Sequence, residues 1–594
     1  MKVKAIIKTA GNFFPYFALL TLSCILINNA FYGFEWTDEP YYIQSAHMLL
    51  FAGLKPYLDY FPLSFWQYLL FPFYFFYLKI TGSSEGIILA TRIAYIVFLL
   101  FIAIFTYTIL KKKSDVFVAF FSANFYLLYS KYNVYGFSYN SFSLGFFLIG
   151  ILLLYDIYFS KTKNIVRAIF AGISFAFVIV SNPYFLFVYI LASIAFLFWK
   201  KRNEYLSIAY SLWLATIAIG IVFAFFLFAN GKSISETISH IINTFHQNQL
   251  RDPSHFSISP SHKFFLFLKN ILLPYAKSKI IILIVGFIFI SLFSFTFAKK
   301  NKKEKLETIF FILTFVFDFI FLLYSFYFVA HLDIAKHILV AQHYATLFWF
   351  SLPLLLLAIL KNNLKIIHQF FGNGEFFFII AGISFSLINQ FSSDNTVSQL
   401  FLIGFPIIVI APLFFLQKIN FVFEKKKAIY FSLLISVILV FLFSFDIRIN
   451  SAYREKTLPF HIFFEPKKYN ELSQIQNGPA KGLWTQTPFV EKYKNYFKII
   501  SSLSFENHET LFVSVCMPHL YFTNINCVPY NLIMENDIFT LDKYKVPNYI
   551  FVIEDAEIPN NAHSTFAKDF VKTDLSSLYE NKKFNNANLF IKKR

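Results

Sequence analysis

Thirteen mostly apolar runs of about twenty residues, parted by short polar breaks, constrain this chain more than any other feature. They cover roughly residues 11–33, 86–110, 115–130, 141–159, 165–181, 183–199, 206–229, 279–298, 306–329, 343–360, 374–391, 399–417 and 428–446. A helix crossing about 30 Å of hydrocarbon needs about 20 such residues. Of the 594 residues 57% are hydrophobic and 14% charged, against roughly 45–50% and 25% in ordinary soluble proteins. A single soluble globular domain is therefore excluded, and the expected fold is a multi-pass α-helical membrane protein. Residues 62–80 are also apolar, but their two prolines and dense aromatic content suit a helix lying at the membrane interface.

Charge decides how the runs are threaded. With 62–80 lying flat, the basic clusters Lys2/Lys4/Lys8, Lys111–Lys113, Lys161/Lys163/Arg167, Lys200/Lys201/Arg202, Lys299–Lys305, Lys361/Lys365 and Lys418/Lys425–Lys427 all fall in short loops on one side. The opposite loops carry scattered cations such as Lys55, Lys131, Lys232 and Arg251. The positive-inside rule makes the clustered side cytoplasmic, with the N-terminus. The net charge of +19 is then topological, and it gives no signal for nucleic acid.

An odd number of spans places residues 447–594 outside the cytoplasm. Composition changes there: Asn, Glu, Lys and Pro become common and long apolar runs vanish. Strand-like runs at 511–515, 549–553 and 588–592, with helices near 486–503 and 565–571, predict a small α/β extracytoplasmic domain. Cys516 and Cys527 lie in it; a disulfide and two free thiols are equally allowed. Cys24, inside the first run, is expected to be a packing residue. The first run is long and lacks a small-x-small cleavage site, so it is expected to stay as a span. GxxxxGK[ST], GxGxxG after a strand, HExxH and CxxC are all absent, which removes sequence support for ATP-driven transport, nicotinamide chemistry and zinc-thiolate chemistry.

The informative loop, residues 34–85, follows the first span. It reads Phe34-Glu-Trp-Thr-Asp-Glu-Pro-Tyr-Tyr-Ile-Gln-Ser-Ala, then Gly53-Leu-Lys-Pro-Tyr-Leu-Asp-Tyr-Phe-Pro-Leu-Ser-Phe-Trp66. Asp38 and Glu39 lie at the exit of the span, and Asp59 about twenty residues on. A carboxylate at a membrane boundary suits transfer from an amphiphilic donor to a hydroxyl, because it can take the acceptor proton while cations hold an anionic leaving group.

This pattern of Asp-Glu after the first span, then G-x-x-P-Y-x-D-x-x-P-L before an aromatic helix, resembles the GT-C membrane glycosyltransferases. The likeness is to the protein O-mannosyltransferase-like and bacterial aminoarabinose-transferase-like groups. Arg92 falls where that family often has Arg-Leu, and Glu509–Tyr521 is similar to the strand and Pro-x-x-Tyr stretch of its tails. The resemblance implies transfer of a sugar from a polyprenyl-phosphate donor to a lipid, glycan or protein hydroxyl, at the outer face of a bacterial cytoplasmic (inner) membrane. It makes Asp38 the catalytic base or the group that orients the acceptor, with Glu39 beside it.

Where relatives hold a second acid, this chain has Asn140, and an amide cannot act as a base; a divalent metal is left open and no other cofactor is implied. Phe61 replaces the Lys that precedes Pro-Pro-Leu in the aminoarabinose group, which argues against that sugar. Candidate substrate-binding residues are Lys55, Tyr57, Asp59, Lys131, Asn140, Arg251, Lys336, His343 and Tyr344, the cations for the donor phosphate. A flippase of lipid-linked glycans and a non-catalytic envelope-assembly protein are the alternatives.

Overall fold

A computed structural model describes residues 2–33, 38–51, 67–128, 136–160, 164–228, 235, 375–392, 404–411, 413–414, 472–506, 509–513, 520, 522–523, 528–529, 546–553, 569–585 and 587–593. The protein is mostly helical. In chain order come α1 (Lys2–Ala30), α2 (Asp38–Phe51), α3 (Gln67–Thr81), α4 (Ile87–Leu110), α5 (Val116–Leu128) and α6 (Tyr139–Ser160). Then follow α7 (Ile165–Ser181), α8 (Phe185–Leu197), α9 (Arg202–Phe228), α10 (Glu375–Ser392), the single turn α11 (Phe405–Ile408) and α12 (Thr487–Ser501). Among the described residues four helical stretches are long and apolar enough to cross a membrane: Phe13–Ala30, Ile87–Leu110, Tyr139–Tyr158 and Arg202–Phe225. The apolar runs expected over 115–130, 165–181 and 183–199 appear as the shorter helices α5, α7 and α8. Those over 279–298, 306–329, 343–360 and 428–446 lie outside the described residues.

Polar residues set the helix starts. Asp115 accepts from Val118 N–H at 2.8 Å to open α5, and Asn164 accepts from Arg167 N–H at 3.1 Å to open α7. Ser138 and Ser141 satisfy each other's backbone N–H at 2.7 and 3.2 Å ahead of α6, a reciprocal cap. Between these starts, apolar faces interlock through Ile96, Leu99, Ala103, Phe125, Leu148 and Phe385, all in one core.

The two ends of the bundle differ. At one end Asp156 of α6, fully buried, receives Lys112 at 3.0 Å and Arg167 at 2.7 Å. This joins the end of α4, the end of α6 and the start of α7, and brings two of the basic clusters together. At the other end α1 finishes and α4 begins. The segment between them must therefore cross the bundle an even number of times. Both halves of α2 touch elements of this one end, Tyr42 against Tyr139 and His47 against Phe522, while Tyr74 of α3 meets His47. Over their described residues both helices stay at this end of the bundle.

α1 corrects one expectation. Phe13, Phe17 and Leu20 are exposed, and so is Cys24, one helical turn on. Cys24 belongs to the face turned away from the bundle and is not a packing residue.

The C-terminal residues build β1 (Leu472–Gln474), β2 (Trp484–Gln486), β3 (Thr510–Val513), β4 (Val528–Pro529), β5 (Tyr549–Ile553), β6 (Tyr579–Phe584) and β7 (Ala587–Lys592). β1 and β2 pair antiparallel, and the other five form a sheet of order β4-β3-β5-β7-β6. β3 is parallel to β4 and β5, whereas β7 is antiparallel to β5. All five residues of β5 are buried, as a central strand covered on both faces requires. Tyr549, Phe551 and Ile553 face one core with Tyr493, Tyr496 and Ile500 of α12. Ile550 and Val552 face another with Phe570 and Phe590.

The first of these sheet cores continues into the helical part. Ile43, Leu70, Tyr74, Ile87 and Ile88 share it with Ile475, Leu483, Val490 and Leu511. The backbone is sewn as well: Gly86 N–H donates to Gly478 O at 3.0 Å and Ile88 N–H to Pro479 O at 3.2 Å. Gly478 permits this approach. Its φ is +79°, and a Cβ there would fall 2.6 Å from the Phe497 ring.

Candidate functional site

The first acidic pair of the sequence opens α2. Carboxylates in a first helical turn are favoured by the unsatisfied N–H groups and the positive end of the helix dipole. Of Asp38 the backbone alone is described. Glu39 is 3% exposed and bound to Arg92, itself fully buried on α4. The pair is bidentate: Arg92 Nε donates to Glu39 Oε1 at 2.7 Å and Nη2 to Oε2 at 2.6 Å. Nη1 donates to the carbonyls of Ala30 at 2.9 Å and Gly33 at 3.1 Å. One guanidinium therefore ties together the end of α1, the loop after it and the first turn of α2. The planar fork of arginine suits this task, and a lysine cannot reproduce it.

β2 closes the same node. Trp484 N–H donates to Phe31 O at 2.7 Å, and Gly33 N–H donates to Trp484 O at 2.9 Å. Gly33 thus receives Arg92 on its carbonyl and gives its N–H to the C-terminal hairpin. Three pieces of chain, the end of α1, α4 and β2, meet at this node, and Arg92 joins them to the first turn of α2.

Asn140 falls beside this node. Tyr42, one turn from Asp38 on the same face of α2, meets Tyr139 edge-on with ring centroids 6.4 Å apart. Asn140 follows Tyr139 and is 5% exposed. Its buried Oδ1 has no hydrogen-bond partner among the described residues. A buried acceptor in that condition costs about 1–3 kcal/mol.

The structure thus brings Asp38, Glu39 and Asn140 to one end of the bundle. Both oxygens of Glu39 are bound to Arg92, so this carboxylate holds the arginine and the start of the helix. Lys55, Tyr57, Asp59, Lys131, Arg251, Lys336, His343 and Tyr344 lie outside the described residues. Among the described residues no group of three or more His, Cys, Asp or Glu converges as metal ligands do.

Two further features of this end were not singled out in the sequence. His47 Nδ1 and Tyr74 Oη lie 2.6 Å apart, both buried, and Gln44, one turn before His47, is buried too. The only sequence signal was Gln44 and His47, three apart on a helix whose second half is mostly apolar. The second is the junction with the C-terminal hairpin. Lys481 Nζ meets Glu85 Oε2 at 2.8 Å, and the hydrogen bond from Lys481 holds the Glu85 carboxyl below its ordinary range. Ser84 donates to the carbonyl of Phe522 nearby. Burial pushes the hydroxyl of Tyr493, beneath the hairpin, well above its ordinary range.

Compared with models of known protein families the chain matches none, and no curated protein matches it either.

Proposed function

We propose that this chain is a membrane glycosyltransferase of the GT-C type. About thirteen transmembrane helices within residues 1–446 would form its catalytic part. Residues 447–594 would be an extracytoplasmic α/β domain, and the basic end of the bundle would face the cytoplasm of a bacterial cell. Its donor is a polyprenyl-phosphate-linked sugar and its acceptor a lipid, glycan or protein hydroxyl.

One observation carries the reading. The acid-bearing start of α2 lies at the end of the bundle opposite the Lys112–Asp156–Arg167 cluster, pinned by Arg92 and roofed by the C-terminal hairpin. A reaction at a membrane boundary needs a carboxylate held still at that depth. Chemistry follows from the placement. Asp38 takes the proton of the acceptor hydroxyl as its oxygen bonds to the anomeric carbon. The bond from that carbon to the phosphate oxygen breaks on the opposite face, and polyprenyl phosphate leaves with the electron pair. One displacement inverts the anomeric configuration. Asn140, an amide whose acceptor has no partner among the described residues, can take a hydrogen bond from a sugar or acceptor hydroxyl but no proton.

The test is product analysis. Membranes containing the full chain, given a polyprenyl-phosphate sugar labelled in the sugar, are expected to move label into acceptor with inversion at the anomeric carbon. Label that crosses sealed vesicles without any covalent transfer would instead mark a flippase.

A further inference from the structure

A second candidate site lies away from Asp38, behind α8. Helix α8 is thinly attached: of its thirteen residues only Phe185 is buried, and Phe187, Ile190, Leu191 and Ile194 are exposed on its outer side. Between α8 and the bundle is a cavity of about 550 Å³ lined from α6, α7, α8, α9 and α10. That is within the range of ligand pockets, roughly 300–1,000 Å³.

Its wall is carbon. Phe147, Phe175, Val178, Phe196, Leu212 and Ala381 make much of it, and three of its polar side chains, Tyr189, Ser193 and Trp213, are engaged in hydrogen bonds. Tyr189 Oη donates to Thr216 Oγ1 at 2.8 Å, and Trp213 Nε1 donates to Ser193 Oγ at 3.0 Å. A wall of this kind offers nothing to a sugar or to ordered water. It suits a hydrocarbon chain. Thirteen helical residues are about 20 Å long, enough to accommodate a chain from one leaflet, whose share of a bilayer core is about 15 Å.

The basic end of the cavity names the headgroup. Tyr158, Trp199 and Tyr205 line it there, with Trp199 and Tyr205 stacked at 5.4 Å and Tyr158 at about 6 Å from each. Such a cluster marks the level of lipid headgroups. Lys200, Lys201 and Arg202 follow Trp199 directly, all exposed. Arg202 Nη1 donates back to the carbonyl of Leu197, which keeps its guanidinium at the foot of α8. Residues 200–204 carry three positive charges and one negative, Glu204, and Asp156, buried at the same end, is paired with Lys112 and Arg167. We propose that this cavity binds one acyl chain of an anionic phospholipid, its phosphate held by Lys200, Lys201 and Arg202, in the leaflet on the basic side of the bundle.

Purified full-length protein in neutral detergent, titrated with mixed micelles of phosphatidylglycerol or phosphatidylcholine, tests this by native mass spectrometry of bound lipid. Phosphatidylglycerol is expected to bind the more tightly. K200Q/K201Q/R202Q changes only exposed side chains. At about fivefold per cation near a membrane surface, it is expected to weaken phosphatidylglycerol roughly a hundredfold and leave phosphatidylcholine unchanged. Ala192→Phe, which places a ring at the cavity wall, is expected to reduce binding of both lipids with the helix content intact. Equal affinity for the two lipids in the unaltered protein overturns the proposal. So does binding that Ala192→Phe does not change, and so does the absence of any bound lipid.

Discussion

Replacing Arg92 by Met removes the guanidinium that joins α1, α2 and α4, and the structure sets the size of the effect. Four hydrogen bonds are lost, two to Glu39 at 2.7 and 2.6 Å and two to the carbonyls of Ala30 and Gly33 at 2.9 and 3.1 Å. Glu39, 3% exposed, is left as a buried charge without its counter-ion. Removing one partner of a buried ion pair costs about 3–5 kcal/mol, and two orphaned carbonyls raise this to about 4–6 kcal/mol, since such losses do not add fully.

The double variant Arg92→Met/Glu39→Leu removes the stranded charge and is expected to recover about 2–3 kcal/mol. Sugar transfer is expected to behave differently. In both variants the first turn of α2 is no longer pinned, and a displacement of about 1 Å at a reacting group can cost a hundredfold in rate. Both are expected to lose about a hundredfold or more in kcat/KM, although only one is severely destabilised. Denaturant unfolding in mixed micelles gives the first quantity and radiolabelled transfer in membranes the second. Arg92→Met within about 0.5 kcal/mol of the unaltered protein, or a double variant no more stable than the single, refutes the clamp.

Three other outcomes follow from single contacts. Gly478→Ala forces a side chain to a φ of +79° and a Cβ to 2.6 Å from Phe497 and 2.7 Å from Tyr493 Oη; a loss of about 2–4 kcal/mol is expected by the same unfolding measurement. Asn140→Leu removes an acceptor with no partner among the described residues, so stability is expected to hold or to rise by up to about 1–3 kcal/mol while KM rises about tenfold. A fall in stability with KM unchanged would make Asn140 a structural residue. The Glu85 carboxyl is held low by Lys481, so its contribution is present above the ordinary glutamate value of about 4.3 and is lost as pH falls through the lower folded-state value. Both side chains are about half exposed, which limits the effect to about 1 kcal/mol or less. Lys481→Met is expected to flatten this part of the acid limb in a pH 3–6 stability profile.

What the sequence made legible was what periodicity and charge encode. The apolar runs matched α4, α6, α9 and α10, and β5 fell where Tyr549–Ile553 was expected, because a buried central strand reads as an unbroken apolar run. β6 went unseen: Tyr-Glu-Asn-Lys-Lys-Phe is an edge strand with five of its six residues exposed, and edge strands carry lysines that mask the pattern. β4 is two residues long and pairs only in register with β3, a contact no local pattern specifies. Cys24 was misjudged because an apolar helix facing lipid and one facing protein have the same composition. At the candidate site, the order Asp-Glu was visible but the division of labour was not. Glu39 pairs with a residue 53 positions away, and only the fold shows that its oxygens are taken. The junction of Trp484 with Phe31 and Gly33 is equally long-range and uses backbone groups, which leave no trace in residue type.

The central claim rests on Asp38, and Asp38→Asn tests it most directly, since the amide keeps the shape and removes the base. The full chain and this variant, purified and supplied with polyprenyl-phosphate sugar and membrane-derived acceptor, can be followed by release of polyprenyl phosphate. The account predicts release matched one for one by sugar transfer in the unaltered protein, and a fall of at least a thousandfold in the variant with its unfolding transition unchanged. Release by Asp38→Asn at the rate of the unaltered protein contradicts it.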